Sequence, residues 1–481
     1  MVNLDVNPAP VPQQPKYSQL LWGVAGVGGL AILLSVLNAN AVLLLPEAVL
    51  MPLRWAGLGL FGYYGYRRNH LTTWIVVSMF VGAALGHDFP EFSKNLKVLS
   101  DIFIRLIKTI IAPLLIGTLV VGIAGHSDMK QVGRLGWKSL LYFEVVTTIA
   151  LFVGLAAINL SQAGAGIEQS AAMIADGIPK VKEQNWQEIV LHTFPENIAK
   201  SIANGEVLQI VVFSILFAIG LSQVKSRYKV TMLNALESMS EVMFKFTNVI
   251  MYMAPFAVGG AIAYTLAEMG FGVLLNLLKL LLTLYGALLA FIFLVLLPIA
   301  LIARVPLKKF VAAIAEPVSL AFATASSESA LPKAMKAMEA IGVPRKIVSF
   351  VMPTGYSFNL DGTTLYLALA AIFVAQAAKV DLPFSTQLIM VFTLMLTSKG
   401  VAGVARASLV ILSGTIASFN LPDWPIAVIL GIDALMDMGR TSVNVIGNCL
   451  ATVVIARWEG EFDDNFDPAK AAALEEAEIG H

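Results

Sequence analysis

Apolar runs of about 20 residues recur along the 481-residue chain, each long enough to cross a hydrocarbon layer of about 30 Å. Inside such a layer every backbone N–H and C=O must find its partner within the protein, so a spanning segment is a helix or part of a closed barrel. A barrel needs alternating segments of about ten residues, and the sequence has none. Charge content agrees: 13% of residues are charged and 57% hydrophobic, with a mean hydropathy of +0.77, whereas soluble domains carry about 25% charged residues. The fold class expected is therefore an all-α polytopic membrane protein. A net charge of zero suggests no nucleic-acid partner, the single cysteine, Cys449, excludes an internal disulfide, and the five histidines form no HExxH or other metal-ligand cluster.

Residues 1–19 are polar and Pro-rich and read as a short disordered cytoplasmic tail. An N-terminal extension over 20–70 holds one or two hydrophobic segments: 20–45 is a clear span, while Pro46, Glu47, Pro52 and Arg54 interrupt 46–66. Spans follow near 71–87, 100–125, 133–161, 205–223, 235–268 and 271–303. In the last third, polar runs break the apolar stretches: "ATASSESALP" (323–332), "SFNLDGTTLY" (357–366) and "TSKGVAGVARAS" (397–408). Lys and Arg gather in alternate connections, such as Arg67/Arg68, Lys225/Arg227 and Arg304/Lys308/Lys309. The positive-inside rule makes those cytoplasmic, together with the acidic tail 461–481. Segments 309–338 and 385–421 each have two arms too short for full crossings, the first with basic flanks and the second without. One re-entrant hairpin entering from each side is expected, a pattern of inverted repeats with a binding site where the broken segments meet.

Polar groups concentrate there. In "IDALMDMGRTSVNVIGN" (432–448), taking Asp433 as the origin of a helix, Asp437 falls at about 40°, Arg440 at about 340°, Asn444 at about 20° and Asn448 at about 60°. All lie on one stripe roughly 80° wide on an otherwise oily helix, the reverse of a soluble one. "NLDGTTLY" puts Asn359, Asp361, Gly362 and Thr363 in mid-span, where Asn and Asp compete for backbone bonds and Gly weakens the helix. An unwound turn offering carbonyls, hydroxyls and a carboxylate is expected, which suits an oxygen-ligated cation. "SSES" (326–329) at a hairpin tip offers hydroxyls and amide N–H groups, either as a simple N-cap or as an anion site. Arg440 suits a carboxylate by bidentate pairing, and Asp437 either neutralises Arg440 or binds a substrate cation. Glu144 and Glu328 are further intramembrane carboxylates, functional or merely hydrogen-bonded.

"SSESALP", "PTGYSFNLDGTTLY", "TSKGVAGV" and "DMGRTSVNVIGN", in that order, resemble the dicarboxylate/amino acid:cation symporter family, the glutamate transporter homologues, over about residues 71–460. "DIFIRLIKTIIAPLLIGTLVVGIAG", "LLYFEVVTT" and "VIARWEGEFD" look most like its bacterial proton/glutamate–aspartate symporters. The resemblance implies eight core transmembrane helices and two re-entrant hairpins, with a homotrimer in the bacterial inner membrane. In each protomer a fixed scaffold carries a transport domain that moves like an elevator. It further implies that Asp437 takes the substrate amino group and Arg440 its side-chain carboxylate, while Asn444, Thr363 and the backbone at Ser327 bind the main-chain carboxylate. Val404 and Ser408 would lie on the gating second hairpin, and Asn359 and Asp361 in cation sites with carbonyls of Gly355, Ser357 and Ser398.

This chain departs from the sodium-coupled members. They have an aspartate where it has Asn448, and Tyr, Thr and Ser where it has Phe143, Val146 and Thr147. The loss of charge and oxygen ligands points to protons as the coupling ion, with sodium as the alternative and Glu144, Glu328 and Asp361 as candidate proton carriers. No cofactor is implied. Where the family's gate usually reads GVPG, this chain places Ala405 and Arg406; Arg406 either attracts acidic substrate at the cavity mouth or snorkels to headgroups. The family's C4-dicarboxylate carriers typically lack an acid at the position of Asp437, so its presence favours glutamate and aspartate over succinate, fumarate or malate. An intramembrane enzyme would need a nucleophile–base pair or a metal set, and no spacing suggests one.

Overall fold

The computed structural model describes residues 45–124, 131–167, 194–204, 206–398, 407–464 and 466, with scattered positions from 23 to 34 and Leu191. Most of the first apolar run, the second hairpin's tip with Val404 and Arg406, and most of the C-terminal tail lie outside the described residues, as do the side chains of Glu328 and Ser357. All regular structure among the described residues is helical. The principal helices are α1 (Glu47–Arg68), α2 (Leu71–Asp88), α3 (Lys97–Ala124), α4 (Gln131–Ser161), α5 (Val207–Ser222), α6 (Ser226–Met251), α7 (Ala254–Met269), α8 (Gly272–Phe291), α9 (Leu297–Ile302), α10 (Leu307–Thr324), α11 (Ser327–Ala340), α12 (Arg345–Phe358), α13 (Asp361–Ala377), α14 (Phe384–Thr397), α15 (Ala407–Ser418) and α16 (Asp433–Glu459).

Five stretches of the described residues are long and apolar enough to cross a membrane: Leu71–Asp88, Pro90–Val121, Leu135–Ser161, Gly272–Ile302 and Arg345–Ala377. The run expected as one span over 235–268 is instead two helices, α6 and α7, bent by 48°. Pro255 sits in the first turn of α7, where its missing N–H costs nothing but its ring disfavours a continuous helix through the residues before it. A similar device acts between α8 and α9: Pro298 follows a π-helical turn over Ile292–Leu296, in which the Leu297 N–H reaches the Ile292 carbonyl. The last helix, α16, has 27 residues, ample for a crossing; its polar stripe is what sets it apart from the oilier spans.

Helices α2, α3, α5, α6 and α7 pack mainly on one another, and α4, α8, α10, α11, α12, α13 and α16 pack mainly on one another. The first hairpin is α10 and α11, packed side by side. Ala325, at φ 50°, ends α10 in the left-handed region, and Ser326 caps α11 by accepting the Ser329 N–H at 3.4 Å. The arms of the second hairpin are α14 and α15. The polar helix α16 runs between α10, α11, α12 and α13, so twenty of its residues are buried, the stripe among them.

Candidate functional site

The centre of the second group is a helix break. Helix α12 ends at Phe358 and α13 begins at Asp361, leaving Asn359 and Leu360 outside helical geometry, with ψ of 65° and 62°. The side chain of Asn444 on α16 holds the break. Its Oδ1 accepts the N–H groups of Gly362 and Thr363 at 2.8 and 3.2 Å, and its Nδ2 donates to the Thr363 hydroxyl at 2.9 Å. These N–H groups have no partner within α13 because they open it, so Asn444 acts as a capping residue supplied by a neighbouring helix. The approach is close enough to require glycine at two points. A Cβ on Gly362 would lie 2.3 Å from the Arg440 carbonyl oxygen, and one on Gly447 would lie 1.8 Å from Asp361 Oδ2.

One turn before Asn444 lies a buried charge cluster. Arg440, 1% exposed, pairs through Nε with Asp437 Oδ1 at 2.8 Å and through Nη1 with Asp433 Oδ1 at 3.2 Å. Its guanidinium also lies 4.3 Å from the ring centre of Tyr366 on α13, whose hydroxyl donates to Asp433 at 3.4 Å. Two carboxylates and an aromatic face thus compensate one cation removed from water, as a buried charge requires. The cluster is not saturated: Arg440 Nη2 is buried with no partner. Both side-chain bonds to Asp437, from Arg440 and from the Thr441 hydroxyl at 3.2 Å, fall on Oδ1, so Oδ2 is uncommitted among the described residues.

A second cluster lies beyond Asn444. Asp361, fully buried, accepts from Asn359 Nδ2 at 3.3 Å, and Asn448 Nδ2 donates to the Asn359 carbonyl at 3.4 Å. The Oδ1 atoms of Asn359 and Asn448 are buried without a partner. Two orphaned amide oxygens and a carboxylate are the kind of oxygen donors that a small monovalent cation takes. From α4, the ring of Phe143 lies 3.4 Å from the position of a Cβ on Gly355, and Val146 is 1% exposed; neither supplies oxygen.

The remaining residues singled out in the sequence are placed as follows. Gly355 is buried, and its carbonyl already accepts the Asn359 N–H at 2.7 Å, leaving one lone pair. Ser327 opens α11 and makes no side-chain bond to the α16 stripe among the described residues. Ser398 ends α14 and donates to the Met395 carbonyl at 3.3 Å. Ser408 on α15 is buried with an unpartnered hydroxyl. Glu144 is half-buried on α4, one residue round from the Phe143 face that meets Gly355. Sequence reasoning gave no role to Asp433, Tyr366 or Tyr285, whose hydroxyl donates to the Leu435 carbonyl at 2.8 Å. Asp433 was visible on the stripe; Tyr366 lies three residues beyond Thr363 on the same broken span, and only its contact with Arg440 distinguishes it from a core aromatic.

Comparison with known proteins places this arrangement. The model of the sodium:dicarboxylate symporter family matches residues 71–458. A proton/glutamate-aspartate symporter of Escherichia coli is 42% identical, covering 88% of this chain and 94% of its own. A proton/sodium-glutamate symport protein of Geobacillus stearothermophilus is 39% identical over 85% of this chain and all of its own. A C4-dicarboxylate transport protein of Paraburkholderia phymatum is 40% identical over 81% of this chain and 92% of its own. The family's members are symporters, not enzymes, and the match covers every residue of the two polar clusters. The chain belongs to the sodium:dicarboxylate symporter family.

Proposed function

We propose that this protein is a secondary active symporter that imports glutamate and aspartate across the bacterial inner membrane, driven by protons. The observation that carries the substrate assignment is the pair of uncommitted atoms in the buried cluster: Asp437 Oδ2, an acceptor for an ammonium group, and Arg440 Nη2, a donor for a carboxylate. The Thr363 hydroxyl accepts from Asn444 and keeps its own proton to donate to a second carboxylate. Ammonium acceptor, side-chain carboxylate donor and main-chain carboxylate donor together match an acidic amino acid. Asp433 holds Arg440 in place while the site is empty, and the substrate carboxylate then adds to that pairing at Nη2. A C4-dicarboxylate would satisfy Arg440 but leave Asp437 without a cationic partner, a cost of roughly 3–5 kcal/mol or about two to three and a half decades of affinity.

Proton coupling is supported by the neutral Asn448, by the Phe143 ring that meets Gly355 beside Asn448 without offering oxygen, and by the buried, oxygen-free side chain of Val146 three residues on. The sodium reading is favoured by a different observation, the orphaned oxygens of Asn359 and Asn448 beside Asp361, which are the residues that would hold the ion. In the elevator mechanism proposed, the helices grouped around α16 move against those grouped around α3, three protomers assemble through the latter, and both termini face the cytoplasm.

Competition against labelled aspartate tests the substrate. Excess glutamate or aspartate should block wild-type uptake, and succinate only weakly. Asp437→Ser should lose most aspartate transport and shift its relative preference toward succinate. Equal inhibition of the wild type by succinate and aspartate would replace this reading with the dicarboxylate one.

A further inference from the structure

Away from both polar clusters, a groove of about 490 Å³ opens where the Gly272–Ile302 span ends, between α9 and α10. Its lining includes Arg304, Lys308 and Lys309, with Leu301, Pro306 and Leu307 as apolar wall. Arg304 stands in the left-handed region at φ 52°, and its backbone is held on both sides: the Val305 N–H reaches the Ala300 carbonyl at 2.9 Å, and Arg457 Nη2 on α16 donates to the Arg304 carbonyl at 3.0 Å. Arg457 is itself paired with Asp464 at 2.6 Å. That leaves the side chains of Arg304 and Lys308 with no ion pair or hydrogen bond among the described residues. The carboxylate that acts on Lys309 is Asp464, already bonded to Arg457.

Two further features make this a place for an anion. Lys308 and Lys309 sit in the first turn of the 18-residue α10, where the helix dipole disfavours cations, and that turn holds no acidic residue. The helix is also uncapped, since Pro306 offers no side-chain acceptor to the free N–H groups of the first turn. Beside the charged groove the span presents bare hydrocarbon: Leu294, Leu301 and Ile302 are 74%, 58% and 83% exposed. An inorganic anion would answer the charges only, and a neutral lipid the hydrocarbon only.

We propose that the groove binds one anionic phospholipid of the phosphatidylglycerol class. Its phosphodiester lies against Arg304, Lys308, Lys309 and the first-turn N–H groups of α10, and its acyl chains follow Leu294, Leu301 and Ile302 into the bilayer. Basic pockets at the ends of membrane helices hold such headgroups. The site does not depend on which substrate α16 carries.

The test is lipid retention by the full chain, purified from mixed phosphatidylcholine–phosphatidylglycerol micelles and weighed intact by native mass spectrometry. Wild type should retain phosphatidylglycerol over phosphatidylcholine. R304Q/K308Q/K309Q should lose that preference, at about fivefold per cation removed, while K225Q/R227Q, in a different basic loop, should keep it. If the triple variant does not fold, R304Q alone should still show about a fivefold loss. Equal retention by wild type and the groove variants overturns the proposal. So does displacement of the lipid from wild type by millimolar inorganic phosphate, which would make the groove a site for a free anion.

Discussion

Gly362→Ala probes the contact on which the binding site is built. The added Cβ would lie 2.3 Å from the Arg440 carbonyl oxygen and 2.8 and 2.9 Å from its Cα and carbonyl carbon. All three are backbone atoms of a long helix, so no side chain can swing aside. Restoring a contact of about 3.5 Å requires α13 and α16 to part by about 1 Å. The bonds from Gly362 and Thr363 N–H to Asn444, 2.8 and 3.2 Å long, would then open beyond hydrogen-bonding range. Overpacking costs about 1–3 kcal/mol and the two opened bonds about 1 kcal/mol each. The better helix propensity of alanine returns at most about 1 kcal/mol. A net loss of roughly 2–4 kcal/mol is expected, with a clear fall in Tm of the detergent-purified protein and loss of aspartate uptake. Gly286→Ala on α8 is the control: nothing lies within 4 Å of its Cβ position, so only the propensity gain remains and Tm should hold or rise. An unchanged Tm with normal uptake in Gly362→Ala would refute the close packing of break against stripe.

Asp433→Asn removes one of the two carboxylates on Arg440 and should destabilise the fold by about 3 kcal/mol, read as a lower Tm; an unaltered Tm would mean that Asp437 alone neutralises the cation. Asn444→Ala leaves the opening N–H groups of α13 without acceptors and should cost about 1–3 kcal/mol together with aspartate affinity, measured by calorimetric titration. Asp88→Asn weakens the clasp that joins α1 to α2, in which Arg54 Nη2 and Trp55 Nε1 donate to Asp88 at 2.6 and 2.9 Å. Hydrogen exchange in α1 should rise while uptake persists, because α1 lies outside the family match; lost uptake would give α1 a functional role.

The membrane class, the buried stripe and the break at Asn359–Leu360 were legible because each rests on local chemistry. Apolar run length dictates spanning helices, polar side chains at helical spacing share a face, and Asn, Asp and Gly together weaken a helix from within. The hairpin turn at Ala325–Ser326 was legible for the same reason, since Ser326 is an ordinary N-cap. Properties that depend on a partner distant in sequence were hidden. Asp433 looked equivalent to its neighbours on the stripe until Tyr366, 67 positions away, and Arg440 were seen on it. In sequence the segment over 46–66 shows only its interruptions, and the use of Arg54 appears in its pairing with Asp88, 34 positions on. Asn444 was read as a substrate ligand; its three bonds to the break make it a structural cap as well. The bend in 235–268 has one local signal, Pro255, inside an otherwise continuous hydrophobic run.

The most direct test of symport is uptake of labelled L-aspartate into proteoliposomes under imposed ion gradients. With an inward proton gradient and no sodium, the label should accumulate above its external concentration, and collapsing the gradient with a protonophore should release it. Accumulation that requires an inward sodium gradient and ignores protons would assign the Asp361 cluster to sodium. Equilibration without accumulation under either gradient would contradict symport itself.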